Sequence, residues 1–356
     1  MPIQPNFLEQ MLFFTLNLGP GPVLDIWSGI ALRILIAAVR LGVFEALADG
    51  PLKPDALARK INADPRGMQV LLLALESVGY VREQNGAYLN TAMTSKWLLR
   101  GTANFSAGFE FWGVNLFQLM NNLEDSFRTG QPPLHLYEWI EGQPEASRAF
   151  QEWMVAIAAF AGEEILKHAS LPGGARRLLD IGGGHARYAI AFCQKYPELS
   201  ATVFDSPRAL KSAEASLAAT GMGERVRLQP GNFLADDLGT GYDVALLFNI
   251  VHGFSDEQNQ ALVNRAARAL RSPDSASGNP GGLLVVVEQL AGRASTPAAN
   301  ATKAILGVSY FHLLGGQLCA YADVRRWLTA AGCANVRRID SPRLPGTSIV
   351  LGTRSG

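Results

Sequence analysis

At 356 residues with 48% hydrophobic side chains, the chain is long enough to bury one large or two ordinary cores. Thirty-one basic side chains balance 31 acidic ones, so no net charge draws the protein as a whole to nucleic acid or anionic membrane. The three cysteines, Cys193, Cys319 and Cys333, are odd in number and form no close pair, which argues against a disulfide framework or a zinc site and fits a reducing cytoplasm.

In chain order, the apolar stretch Phe7 to Leu18 lacks a basic flank and contains Glu9, while Ile30 to Leu41 carries Arg33 and Arg40 and is too short to span a bilayer. Neither reads as a targeting or membrane segment. Ile26 to Leu41 is aliphatic on nearly every helical face and must be buried; in a small N-terminal domain the expected cover is a second subunit. Short helical patterns follow from Gly42, then a small hairpin around Gln84-Asn85-Gly86, and together they read as a winged helix. Its helix Pro65 to Gly79 offers one Arg66 against Glu76 beside a leucine-rich face, too little positive charge for phosphate contacts. A winged-helix regulator is therefore the disfavoured reading.

Residues 100 to 170 are helical and aromatic-rich. Most of these rings belong to a core, and Phe109, Trp112, Phe150 and Met154 are the candidates for walls of a flat apolar substrate pocket. Pro172-Gly173-Gly174 marks a boundary. The expected division is 1–105, a winged-helix dimerisation domain; 106–171, a helical linker lining the pocket; and 172–356, a cofactor-binding domain.

That last part begins with Leu178 to Asp205, which reads as strand, glycine turn, helix and second strand. A dinucleotide fingerprint requires a third glycine, and Arg187 stands in its place. Asp180 precedes the glycines, where it repels a pyrophosphate but suits a cationic amino-acid head. Asp205 ends the next strand, where it can accept from both ribose hydroxyls. Adenosine with an ammonium-bearing tail and no phosphate describes S-adenosyl-L-methionine. Beyond Asp205, strands and helices alternate, implying a mostly parallel sheet covered on both faces, with ligands at the carboxyl ends of its strands.

Five stretches in this order, LLDIGGGHARYA, VFDSP, GNF at 231 to 233, FNIVHGFSDE at 248 to 257 and GGLLVVVE at 281 to 288, resemble the successive motifs of class I methyltransferases. They resemble in particular the O-methyltransferase family of the plant caffeic acid enzymes and the bacterial hydroxyindole, polyketide and phenazine enzymes. The resemblance covers nearly the whole chain. It implies an α/β, Rossmann-like methyltransferase domain behind a mostly α, winged-helix dimerisation domain, a homodimer, S-adenosyl-L-methionine converted to S-adenosyl-L-homocysteine, and no metal. The expected cofactor residues are Asp180, Gly182, Gly184, Asp205, Ser206, Asn232, Phe233 and Asn249, with Phe233 near the adenine. Met154 falls where the family has a methionine near the reacting groups.

Methyl transfer to a phenol needs a base, since a phenol ionises near pH 10 and a histidine near 6.5. His252, just past a strand end and inside the family match, is the expected general base, and Glu288 matches the first of two glutamates that orient it. The second would fall after Gly315-Gly316, where the chain reads Gln317-Leu318-Cys319-Ala320, and Gly253 replaces the aspartate common after the base. Tyr310 and His312, on the helix that closes the pocket in the family, are expected to touch substrate. The function implied is O-methylation of a small aromatic or polyketide-like hydroxyl in secondary metabolism. The thinned base machinery leaves N- or C-methylation open, as well as a non-methylating relative that decarboxylates, hydroxylates or rearranges.

Overall fold

The computed structural model describes residues 3–99, 105–274, 280–294 and 296–355. Two compact units are present, one built from the chain up to Gln118 together with Pro144–Ala156, the other from Leu119–Gln143 and the chain from Ile157 onward.

In the first unit, α1 (Val23–Leu41) buries Leu35, Ile36, Ala38 and Val39 but leaves Ile26, Trp27 and Ile30 at 65%, 55% and 47% exposure. Helices α2 (Pro54–Lys60) and α3 (Pro65–Ser77) follow. Asp64 caps α3 by accepting from the Gly67 N–H at 2.7 Å, and Pro65 occupies the first turn, where no N–H is needed. Strands β1 (Val81–Gln84) and β2 (Ala87–Asn90) pair antiparallel across the two-residue turn Asn85-Gly86. α1 also packs on α4 (Ser106–Leu119): Arg33 donates to the Gly113 carbonyl at 3.0 Å, and the Ile36 side chain occupies the space a Cβ at 113 would need.

The second unit carries α5 (Leu123–Thr129), the later half of α6 (Pro144–His168), and a seven-stranded sheet. Its strands are β3 (Arg177–Ile181), β4 (Ser200–Asp205), β5 (Val226–Pro230), β6 (Val244–Phe248), β7 (Leu283–Glu288), β8 (Cys333–Asp340) and β9 (Ser348–Arg354), in the order β5-β4-β3-β6-β7-β9-β8. The first five run parallel; β9 pairs antiparallel with both β7 and β8. Every residue of β6 and β7 is buried, as expected of central strands covered on both faces.

Neighbouring residues face opposite layers. Leu178 and Leu246 pack with Ile165 of α6 and Ile190 of α7 (Arg187–Lys195). Leu179 and Leu247 pack with Leu262 of α9 (Asp256–Ala269) and Trp327 of α11 (Tyr321–Ala330), numbering α8 as Leu210–Thr220 and α10 as Pro297–Leu314. The doubly wound, mostly parallel sheet expected from the alternation is therefore present. Its strand order reverses between β3 and β6, the switch point at whose carboxyl strand ends sheets of this kind bind their ligands.

Candidate active site

At the end of β3 the chain turns so tightly that side chains are excluded. A Cβ on Gly182, whose φ is 73°, would run into Ile250, and one on Gly183 would sit 2.5 Å from the Asp180 carboxyl and 2.8 Å from Val203. Asp180 lies beneath this turn, 1% exposed, and its Oδ2 has no hydrogen-bond partner among the described residues. Burial, then the nearby Asp205, push its pKa up to about 7. A buried carboxyl oxygen with no partner is the kind of group a bound cation satisfies.

Asp205, at the end of β4, accepts from the Gly184 N–H at 2.9 Å and from the Ser206 N–H at 2.7 Å. Burial raises its pKa, partly offset by those two bonds. Ser206 accepts from the Ala209 N–H at 3.3 Å, and α8 starts one residue later, at Leu210. His185, in the same turn, accepts from the Arg187 N–H at 3.1 Å and so caps α7. Phe233 is half-buried and lies 3.6 Å from the Cβ position of Gly182. Asn232 is exposed; its Oδ1 already accepts from the Leu234 N–H at 3.0 Å, leaving its NH2 as the group open to a ligand.

His252 sits in a single 3-10 turn, Val251–Gly253, after β6. Asn259 of α9 pins that turn by donating to the Val251 carbonyl at 2.9 Å, and the Gln317 N–H donates to the His252 carbonyl at 3.0 Å. The ring is 7% exposed, and its Nδ1 lies 2.9 Å from Oε2 of the wholly buried Glu288 at the end of β7. An ionised carboxylate can only accept, so Nδ1 carries the proton and Nε2 is left as the basic nitrogen. Nothing among the described residues bonds to Nε2.

Two residues that sequence reasoning missed complete this corner. Gln289 donates to Asn249 Oδ1 at 3.1 Å and accepts from the Tyr310 hydroxyl at 2.6 Å. Gly316 passes against the His252 backbone. The only sequence signals were a polar residue directly after the strand-end glutamate and the Gly315-Gly316 pair. Where the family resemblance implies a second carboxylate, Cys319 is buried with its Sγ 3.7 Å from the Val251 carbonyl; burial, then Glu288, push its thiol up to about 12.

His312 is 1% exposed and both its nitrogens are taken, Nδ1 by Ser126 Oγ at 2.7 Å and Nε2 by the Leu119 carbonyl at 2.6 Å. Phe109, Trp112, Phe150 and Met154 all belong to the first unit and are half-buried there, with the Phe111 ring 5.1 Å from those of Trp112 and Phe150. Asp180, Asp205, Asn249, His252, Glu288 and Tyr310 all belong to the second.

An O-methyltransferase domain model matches residues 120–334, more than half of the chain, and an O-methyltransferase dimerisation domain model matches 26–101. The chain belongs to the O-methyltransferase family. This methyltransferase is 27% identical to a 3-hydroxy-5-methyl-1-naphthoate 3-O-methyltransferase of Streptomyces sahachiroi over 94% of its own length and 96% of the relative's. It is 25% identical to an L-tyrosine C(3)-methyltransferase of Streptomyces lavendulae over 91% and 90% of the two chains. Among solved structures it resembles the S-adenosylmethionine-dependent methyltransferase SibL, with TM-score 0.73 and 26% identity over 95% of this chain and 99% of that one. The sheet order is that of the class I methyltransferase fold expected above. Among the described residues of the enzyme, no group of three or more His, Cys, Asp or Glu is placed to hold a metal, and no helix is long and apolar enough to cross a membrane.

Proposed function

We propose that this methyltransferase transfers the methyl group of S-adenosyl-L-methionine to a hydroxyl of a small aromatic or polyketide-like metabolite, with His252 as general base and Glu288 as its orienter. The observation that carries this is the 2.9 Å bond from His252 Nδ1 to Glu288, which leaves Nε2 unbonded in the unit that holds the acid-glycine crevice.

The residues of that crevice fit the cofactor. Asp180 supplies an unpartnered carboxyl oxygen for its cationic head, and Asp205 keeps lone pairs for the ribose. Gly182 and Gly184 let backbone approach, while Phe233, Ser206, Asn232 and Asn249 border the adenosine. Bound there, the cofactor supplies an electrophilic methyl group on a positively charged sulfur. His252 Nε2 would take the proton that the acceptor hydroxyl gives up as it is methylated. Glu288 then faces the imidazolium and stabilises it.

Phe109, Trp112, Phe150 and Met154 are proposed as substrate walls, within a division into a winged-helix dimerisation region 1–105, a lining region 106–171 and a catalytic region 172–356. With both ring nitrogens engaged, His312 is assigned to holding α10 to α5 rather than to binding substrate. The exposed Ile26, Trp27 and Ile30 of α1 support a homodimer in a cytoplasmic enzyme.

The test is transfer of labelled methyl to phenolic, hydroxynaphthoate and hydroxyquinoline acceptors. His252→Ala is expected to lower kcat by about 10²-fold while cofactor affinity hardly moves. Unchanged turnover removes His252 as the base. A second reading, C-methylation, is favoured by the L-tyrosine C(3)-methyltransferase relative and by the single carboxylate at the base. Locating the methyl group in the product by NMR separates the two.

A further inference from the structure

We propose that Tyr310 is a positioning residue for His252, holding the imidazole by its face while Glu288 holds it by its edge. This rests on the assignment of His252 as general base.

The rings of His252 and Tyr310 are stacked, with centroids 3.8 Å apart and planes 5° from parallel. A hydrogen bond at Nδ1 fixes the tautomer and one direction in the ring plane, but by itself lets the imidazole tilt about that bond. A flat ring lying on it removes the tilt. Tyr310 can serve only if it is itself held. Its hydroxyl donates to Gln289 Oε1 at 2.6 Å, and the Gln289 amide is oriented in turn by donating to Asn249 Oδ1 at 3.1 Å and Thr347 Oγ1 at 3.4 Å. Consecutive residues at the end of β7 thus govern the two constraints: Glu288 directly, Gln289 through Tyr310.

Charge favours the same arrangement. An aromatic face attracts a cation, most strongly out of water, so the stack stabilises the imidazolium formed on proton uptake over the neutral ring. Glu288 from β7 and the Tyr137 hydroxyl from the segment before α6 act on the Tyr310 hydroxyl, and the Cys319 thiol lies against the carbonyl of Val251, the residue before His252. Burial, then Glu288 and Tyr137, hold the Tyr310 hydroxyl well above its ordinary value, so it stays protonated and remains a donor to Gln289. The ring therefore does for the imidazole face what a second carboxylate would do for its charge, at a site where Cys319 is the buried side chain.

The test compares Tyr310→Leu, which removes the stack, with Tyr310→Phe, which keeps the ring and loses the hydroxyl. Tyr310→Leu is expected to lower kcat about tenfold with KM within about twofold, and to move the acid limb of the pH–rate profile about half a unit lower. Tyr310→Phe is expected to restore kcat to within about threefold of the native value, with the limb back in place. Independently of turnover, the His252 ring resonance of the cofactor-free protein, identified by its loss in His252→Ala, is expected to show an upfield ring-current shift. That shift should persist in Tyr310→Phe, weaken in Gln289→Leu, and vanish in Tyr310→Leu. A His252 resonance and an acid limb that are the same in the Leu variant as in the native enzyme overturn the proposal. If His252→Ala proves fully active, the base assignment fails, while the resonance still reports on the stack.

Discussion

Gly316 lies so close to His252 that a Cβ on it would run into the His252 carbonyl oxygen and stand 2.8 Å from its carbonyl carbon. The atoms in the way are backbone and cannot rotate aside. Gly316→Ala must therefore displace the 3-10 turn that carries His252, the proposed base. Misplacement by an ångström typically costs about 10²-fold in rate, and that loss in kcat is expected here. Calorimetry of cofactor binding should show little change, because Asp180 and Asp205 are on other strands. An alanine variant with native kcat would mean that the turn tolerates the shift.

With Asp180 holding the cofactor's cationic head, as proposed, cofactor binding acquires a pH dependence whose sign follows from its shift. An aspartate in an unfolded chain ionises near pH 4, and in this crevice burial and Asp205 push it up to about 7. Between those values the ligand-free folded protein holds a proton that the unfolded chain has released, so its stability falls as pH rises through the window. A cationic ligand head needs the ionised form and must expel that proton. S-adenosyl-L-methionine affinity is therefore expected to rise by up to about tenfold per pH unit below 7 and to level off above it. Titration calorimetry across that range should show this slope in the native protein and a flat response in Asp180→Asn.

Ala186 adopts φ 60° and ψ 5° at the start of α7, and is fully buried. The left-handed conformation costs an L-residue about 1–2 kcal/mol, while burial of its methyl returns about 0.8 kcal/mol and glycine would add unfolded-state entropy of about 0.5–1 kcal/mol. These terms cancel. Ala186→Gly is thus expected to change unfolding free energy by less than about 1 kcal/mol in denaturant titration. Ala186→Val, branched and buried in the same conformation, should destabilise by about 2–3 kcal/mol or more.

Ile26, Trp27 and Ile30 form an exposed apolar patch on α1, at the start of the segment matched by the dimerisation model. Such a patch needs a cover. Trp27→Glu, which places a charge in it, is expected to shift the particle from dimer toward monomer in light scattering, by roughly tenfold or more in dissociation constant. An unchanged mass would put the interface elsewhere.

Much of the second unit was legible because its rules are local. Continuous apolar runs mark β6 and β7, glycines mark the turn after β3, and acids at strand ends mark the proposed cofactor site. Asp180, Asp205, His252 and Glu288 could be picked out as candidates one by one, because the acids stand within the last two residues of a strand and the histidine in the first turn after one.

The sequence by itself determined the alternating architecture, the absence of a charge that would draw the chain to nucleic acid, and which residue types wait at the strand ends. Tertiary structure alone decided what those residues touch. Tyr310 and His312 stand two residues apart on α10, on nearly opposite sides of the helix, and one stacks on His252 while the other has both nitrogens bonded to Ser126 and Leu119. Gln289 and Gly316 gave almost no signal, because their roles consist of contacts with residues distant along the chain. Partner choice among buried polar groups depends on which elements the fold brings within about 3 Å, and no local pattern encodes that distance.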